Sequence, residues 1–149
     1  MREILFKAKQ INNGEWVQGY YTHVPYLSKH YIVHETKIQC GINAWQTMNS
    51  CEINPETLCQ YTGLTDKNGK KIWENDVVKY HFGEDTAVIR FGKYQSCFDS
   101  QKCCHVGFYV DWQDYKRKDL GYWVQMIDCN VIGNIFDNPE LLKGGASNE

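Results

Sequence analysis

The stretch Ile53-Asn54-Pro55-Glu56-Thr57-Leu58-Cys59-Gln60-Tyr61-Thr62-Gly63-Leu64-Thr65-Asp66-Lys67-Asn68-Gly69-Lys70-Lys71-Ile72-Trp73-Glu74-Asn75-Asp76-Val77-Val78 decides the fold class. Asn54 suits a helix N-cap and Pro55 the first helical position. Gly63 follows too soon for more than two turns, so a short helix and a bend into an extended Leu58–Thr62 both fit. Asp66-Lys67-Asn68-Gly69 is turn chemistry, because Asp and Asn bond their own backbone and Gly accepts positive φ. Tyr61 flanks that turn on one side and Ile72-Trp73 on the other, and Asp76–Phe82 reads as a strand. The stretch describes extended segments separated by tight turns.

The same texture continues in both directions. Upstream, Ile4, Phe6 and Ala8 alternate within a strand over Glu3–Lys9. Asn12-Asn13-Gly14 is a hairpin turn, and Trp16–Tyr21 is the returning strand. Tyr31–Ile38 is a further strand, while Cys40–Cys51 shows no period and reads as loop. Downstream, Thr86–Phe91, Val106–Trp112, Tyr122–Ile127 and Val131–Phe136 read as strands, and Asn138–Leu142 as one helical turn. The polar tail Lys143–Glu149 is expected to be disordered. No segment sustains helical periodicity. The expectation is a mainly β fold of short antiparallel strands and hairpins with little helix, in one domain over residues 1–142.

The 149 residues suit one domain that folds without a metal or disulfide. A net charge of −2 supplies no general attraction for polyphosphate or anionic membrane, so neither nucleic acid nor membrane is the expected partner. The basic clusters Lys67/Lys70/Lys71 and Lys116/Arg117/Lys118 sit in polar surroundings and read as solvated loops. Lys7 interrupts the apolar residues at the N-terminus, so no signal peptide is expected, and the cytoplasm is the expected compartment. The seven cysteines include no Cys-x-x-Cys pair and read as small, partly buried apolar residues.

Two blocks carry a family resemblance. Ile53 through Val78 is the first, and Val131-Ile132-Gly133-Asn134-Ile135-Phe136-Asp137-Asn138-Pro139-Glu140-Leu141-Leu142 is the second. With Arg2–Lys7 and Gly14–Tyr20 at the start, the sequence resembles the YopX-like family of phage and prophage proteins over nearly its whole length. The resemblance implies a mainly β fold with a small SH3-like barrel element, in a protein encoded by a phage. It implies no activity and transfers no catalytic residue. Asn75 departs from the family, which has Gly before the Asp, and Asn54 stands where Asp is common. Asn tolerates positive φ better than most residues, so a left-handed Asn75 is expected.

Motifs for chemistry fail on spacing. Gly63–Lys71 has five residues between its glycines where a phosphate loop needs four, and Lys71 replaces the hydroxyl. Asp66-Lys67-Asn68 begins like a calcium loop, but Gly69 comes too early. His30 and His34 would share a helical face, yet Tyr31-Ile32-Val33 favours a strand, where four residues span about 13 Å. They are expected near the ends of that strand, too far apart to share one ion. Cys97, Cys103, Cys104 and His105 form the softest donor set, though adjacent cysteines strain a tetrahedral site; the sequence leaves metal binding there open. Glu74/Asp76 and Glu84/Asp85 flank turns. No catalytic, cofactor-binding or metal residue is assigned, and the chain reads as a non-enzymatic accessory protein that binds a phage or host protein or itself. Tyr31–Val33 and Val106–Tyr109 lack protective Lys or Pro, which points to homo-oligomers paired through sheet edges. A nucleic-acid-binding module is the alternative, and an unrecognised enzyme the more remote one.

Overall fold

The computed structural model describes residues 1, 3–40, 43–80, 84–97, 99, 103–112 and 117–145, and the chain divides into two units, Met1–Tyr61 and Thr62–Glu149. Both are built from antiparallel strands.

In the first unit, β1 (Phe6–Lys9) and β2 (Trp16–Val24) form the expected hairpin. Gly14 closes it at φ 72, and Asn13 Oδ1 accepts the Glu15 N–H at 2.9 Å. β3 (Lys29–Cys40) and β4 (Asn43–Glu52) follow, and the strands lie in the order β4-β3-β2-β1, with the start of β5 (Cys59–Thr65) beside β1. β2 changes partner part-way. Gly19 is its last residue paired to β1, and Tyr20 the first paired to β3. The crossing is so close that a Cβ on Gly19 would lie 2.2 Å from the Val33 carbonyl oxygen. The sheet curls far enough for Ile11 N–H to reach the Glu52 carbonyl at 3.0 Å and Asn54 N–H the Lys9 carbonyl at 2.9 Å. Ala8, Val17, Ile32 and Ile53 are buried inside the curl. Asn54 caps the 3₁₀ turn Pro55–Thr57 by accepting the Glu56 N–H at 3.1 Å.

The segment Cys40–Cys51, expected as loop, is largely strand β4. Its ten-pair register with β3, from Tyr31↔Glu52 to Cys40↔Asn43, creates a strand that its polar sequence does not announce.

In the second unit, β5 turns into β6 (Lys71–Trp73), and β7 (Asp76–Tyr80), β8 (Thr86–Tyr94), β9 (His105–Asp111) and β10 (Cys129–Asn134) form a sheet in the order β10-β7-β8-β9. One correction concerns Tyr122–Ile127, expected as a strand. The helix α1 (Leu120–Met126) occupies that region. Leu120 and Trp123 are buried while Val124 and Ile127 pack against the same core, a spacing of three, four and seven that belongs to a helix face. Burying that face overrides the β propensity of Tyr, Trp and Val. The core joins Ile72, Val78, Ile89, Val110 and Cys129 to Trp112 and Trp123, whose ring centroids lie 4.8 Å apart.

Asn75 adopts φ 66, as expected. Asn134 Oδ1 accepts the N–H groups of Phe136 and Asp137, each at 3.0 Å, and closes the turn after β10. A 3₁₀ helix over Pro139–Gly145 takes in the first residues of the expected tail, and 146–149 lie outside the described residues. Among the described residues the sheets are not closed into a barrel, so the SH3-like barrel element implied by the resemblance is not among the features seen there. No helix among the described residues is long and apolar enough to cross a membrane.

Candidate functional site

Each motif singled out in the sequence has a position in the fold. Gly63–Lys71 forms the β5–β6 hairpin. Asp66 is its keystone, 4 % exposed: Oδ1 accepts the N–H groups of Asn68 and Lys70, each at 2.9 Å, and Oδ2 accepts that of Val131 at 3.2 Å. Both oxygens are committed to backbone, so this Asp organises a hairpin and ties it to β10. Asp76, equally buried, accepts the Trp73 N–H at 2.8 Å across the β6–β7 turn. Glu84 is a surface partner of Lys79 at 3.2 Å.

The soft donor set lies between β8 and β9, whose last register pair is Tyr94↔His105. Asp99 is central: one oxygen accepts the Ser96 N–H at 2.9 Å and lies 3.1 Å from His105 Nε2. The Ser96 N–H, and then His105, hold the Asp99 carboxyl below the ordinary carboxylate range. Ser96 is buried, but its hydroxyl donates to Asp119 Oδ2 at 3.1 Å rather than to His105, so Ser, His and Asp form no nucleophile–base chain. The Tyr94 ring stacks on His105 and on Tyr109, each at 5.2 Å, and burial, then Asp119, pushes its hydroxyl pKa up. Cys97, Cys103 and Cys104 are free and exposed. Among the described residues, no group of three or more His, Cys, Asp or Glu side chains is arranged to hold a metal ion. Of the second basic cluster, Arg117 stacks over Tyr122 at 4.6 Å and Lys118 lies 3.6 Å from Asp111; Lys116 is outside the described residues.

His30 and His34 lie on a strand, as expected, but within β3 and not at its two ends. What sequence reasoning missed is the partner of His30. The β2–β3 register places His23 directly opposite it, and the two rings stack at 4.3 Å with 6° between their planes. Tyr21 Oη lies 2.7 Å from His30 Nδ1. The signal was present as two histidines flanking the Pro25–Leu27 turn, but only the turn length fixes the register.

The edges also differ from expectation. Tyr31–Val33 is covered on both sides, by β2 and by β4. Val106–Tyr109 does lie in the outermost strand of its sheet, with Tyr109 bridged to Asp119. A longer edge belongs to the first unit. β2 pairs with β3 only over Lys29–Val33, so from His34 to Cys40 β3 pairs with β4 alone among the described residues. β4 is the outermost strand of its sheet and carries Met48 at 57 % exposure. The result is a two-stranded ribbon extending beyond its neighbour.

These features define a class of protein: antiparallel β, with its buried carboxylates spent on turns and its open feature a strand edge. The chain belongs to the family described as YopX protein, whose pattern matches residues 5–143. It is similar to protein EF1440 from Enterococcus faecalis, known from a crystal structure, at a TM-score of 0.58 and 22 % identity over 95 % of this chain and 99 % of that one. Identity that low speaks to the fold alone. No curated protein matches the chain.

Proposed function

We propose that the protein is a phage or prophage accessory protein of the bacterial cytoplasm that acts by binding another protein chain, in the simplest case a second copy of itself, through the β3–β4 ribbon. The observation that carries this reading is the ribbon's open edge. A two-stranded hairpin is marginal in water without a third strand or a covering surface, and an edge strand presents its unpaired N–H and C=O groups to any chain that can pair with it. β4 has no Pro and no Lys, and its one charged residue, Glu52, is tied to Lys29 at 2.7 Å. The sequence Asn43–Cys51 holds no Pro and no charged residue to oppose pairing with a second strand.

Size exclusion coupled to light scattering tests the reading. The expected mass is a multiple of 17.4 kDa. Met48→Lys, a charge placed on an already exposed edge position, is expected to return the protein to one chain. A mass of one chain across a wide concentration range would sink the self-assembly form of the proposal. Fluorescence anisotropy with random single-stranded DNA separates the other class of function. Tight binding with a steep salt dependence would favour a nucleic-acid module instead.

A further inference from the structure

We propose that His23 and His30 form a two-histidine clasp for a divalent transition-metal ion of the imidazole-preferring kind, such as Ni²⁺, Cu²⁺ or Zn²⁺. The site lies at the turn end of the β2–β3 hairpin, away from the ribbon, and the inference does not depend on the proposed function.

The argument begins with register. Directly opposed residues on antiparallel strands have Cβ atoms about 4.5–5.5 Å apart, which suits two side chains reaching for one small object. His23 and His30 are such a pair, and their rings stand nearly parallel at 4.3 Å. Metal–imidazole bonds are about 2.0–2.1 Å, so an ion between two ring nitrogens spans up to about 4.2 Å. The observed spacing is between the centroids of stacked rings, whose lone pairs run side by side, so the His23 ring must turn about its side-chain bonds for its nitrogen to converge with His30 Nε2 on one ion. The opposed positions of the two residues on β2 and β3 put both side chains within reach of such an ion.

The surroundings match what a ligating histidine requires. Such a histidine commits its second nitrogen to a hydrogen bond that fixes the tautomer and the ring plane. His30 Nδ1 already lies 2.7 Å from Tyr21 Oη, and Tyr21 is held by the core of the first unit. With Nδ1–H donating to Tyr21 Oη, Nε2 keeps its lone pair for the ion. His23 is exposed, so the ion enters from solvent and water fills its remaining positions. No acidic or thiol ligand joins the pair, consistent with the absence of any three-ligand group among the described residues. Two imidazoles and water describe an exchangeable site for borderline ions, not a closed structural zinc centre. Because the ion joins β2 to β3, binding stabilises the folded state by mass action.

The exposed thiols Cys97, Cys103 and Cys104 are competing ligands, so the test uses the full chain carrying C97S, C103S and C104S. Calorimetric titration with Ni²⁺ is expected to show one ion per chain and a rise in melting temperature. His23→Asn and His30→Asn are each expected to weaken uptake more than tenfold. Tyr21→Phe keeps the ring but removes the hydroxyl that orients His30, and is expected to weaken it about tenfold, as for other outer partners of metal ligands. Paramagnetic broadening by Cu²⁺ should reach the ring protons of His23 and His30 before those of His34 and His105. Circular dichroism of the metal-free variants checks that each is folded. Uptake unchanged in His23→Asn, no uptake by the folded thiol-free chain, or broadening that begins at His105 overturns the proposal.

Discussion

The two units solve the same problem with unequal means. The second buries nine residues in one cluster, two of them tryptophans, and roofs its sheet with α1. Its turns are closed by the buried Asp66 and Asp76 and by Asn134, each accepting backbone N–H groups. Among the described residues the first unit's cluster is Ala8, Val17, Ile32 and Ile53, yet the unit carries the two longest of the described strands, β3 and β4. Small cores leave little margin. The contrast teaches where stability and exposure have been placed: an over-determined core in the second unit, and in the first an extended backbone surface on a modest core.

The largest expected effect breaks that comparison if it fails. Trp123 sits 4.8 Å from Trp112 and 5.3 Å from Tyr80, and its indole N–H donates to the Arg117 carbonyl. Trp123→Ala is expected to cost about 3–5 kcal/mol in a denaturant titration. A loss below about 1 kcal/mol would mean that the aromatic cluster is not what secures the second unit. Gly19→Ala probes the first unit by a different mechanism. The new methyl group meets a backbone oxygen that has nowhere to go, and overpacking of this kind costs about 1–3 kcal/mol. Hydrogen exchange should show the loss concentrated in β2 and β3. Wild-type stability in Gly19→Ala would mean that the two strands do not cross as closely as described.

The same contrast explains what was legible in the sequence. Turns were, because Asn13-Gly14 and Asp66–Gly69 carry their chemistry locally, and so was the positive φ of Asn75. Elements made by partners were not. β4 exists because β3 pairs with it over ten residues, and its own Asn, Gln, Ser and Thr do not announce a strand. α1 exists because Leu120 and Trp123 bury one face, against the strand preference of Tyr122, Trp123 and Val124. The family blocks were recognisable as sequence, and the structure supplies their physical content: Asp66 binds Val131 N–H, which joins the first block to the second. The candidate sites were least legible. The His23–His30 pair depends on register, and the ribbon edge depends on where β2 leaves β3.

Acid–base chemistry offers a finer probe of the second unit. Cys129 is fully buried, and burial, then the Asp66 carboxylate, pushes its thiol up to about 12. In the unfolded chain a thiol ionises near about 8.5. Between these values the unfolded state has released a proton that the native state retains, so this contribution is intact below the lower value and falls as pH rises toward the upper one. At pH about 10.5 the loss attributable to Cys129 should approach roughly 2.7 kcal/mol. Cys129→Ala lowers stability at every pH by leaving a small cavity, but is expected to flatten the alkaline limb. Parallel limbs for the two proteins would show that the thiol is not shielded in the folded chain.

The smallest effect is a pair of substitutions at one position, and it asks whether the turns of the second unit are selected by conformation or by contact. Asn75 holds φ 66 between β6 and β7. Its N–H donates to the Ile89 carbonyl at 2.8 Å, its own carbonyl accepts the Ile135 N–H at 3.1 Å, and its side-chain oxygen accepts from Arg90 Nη1 at 3.2 Å. The backbone bonds survive any residue that can reach the left-handed region. Glycine reaches it without steric cost but forfeits the part-buried Arg90 bond and adds freedom to the unfolded chain. These terms oppose one another, so Asn75→Gly should lie within about 0.5 kcal/mol of the wild type. Valine loses the same side-chain bond and also forces a β-branched residue into positive φ, at about 1–2 kcal/mol. The difference between the two variants therefore isolates the backbone term, and denaturant midpoints measure it directly. Equal midpoints for Gly and Val would mean that the left-handed turn does not choose the residue.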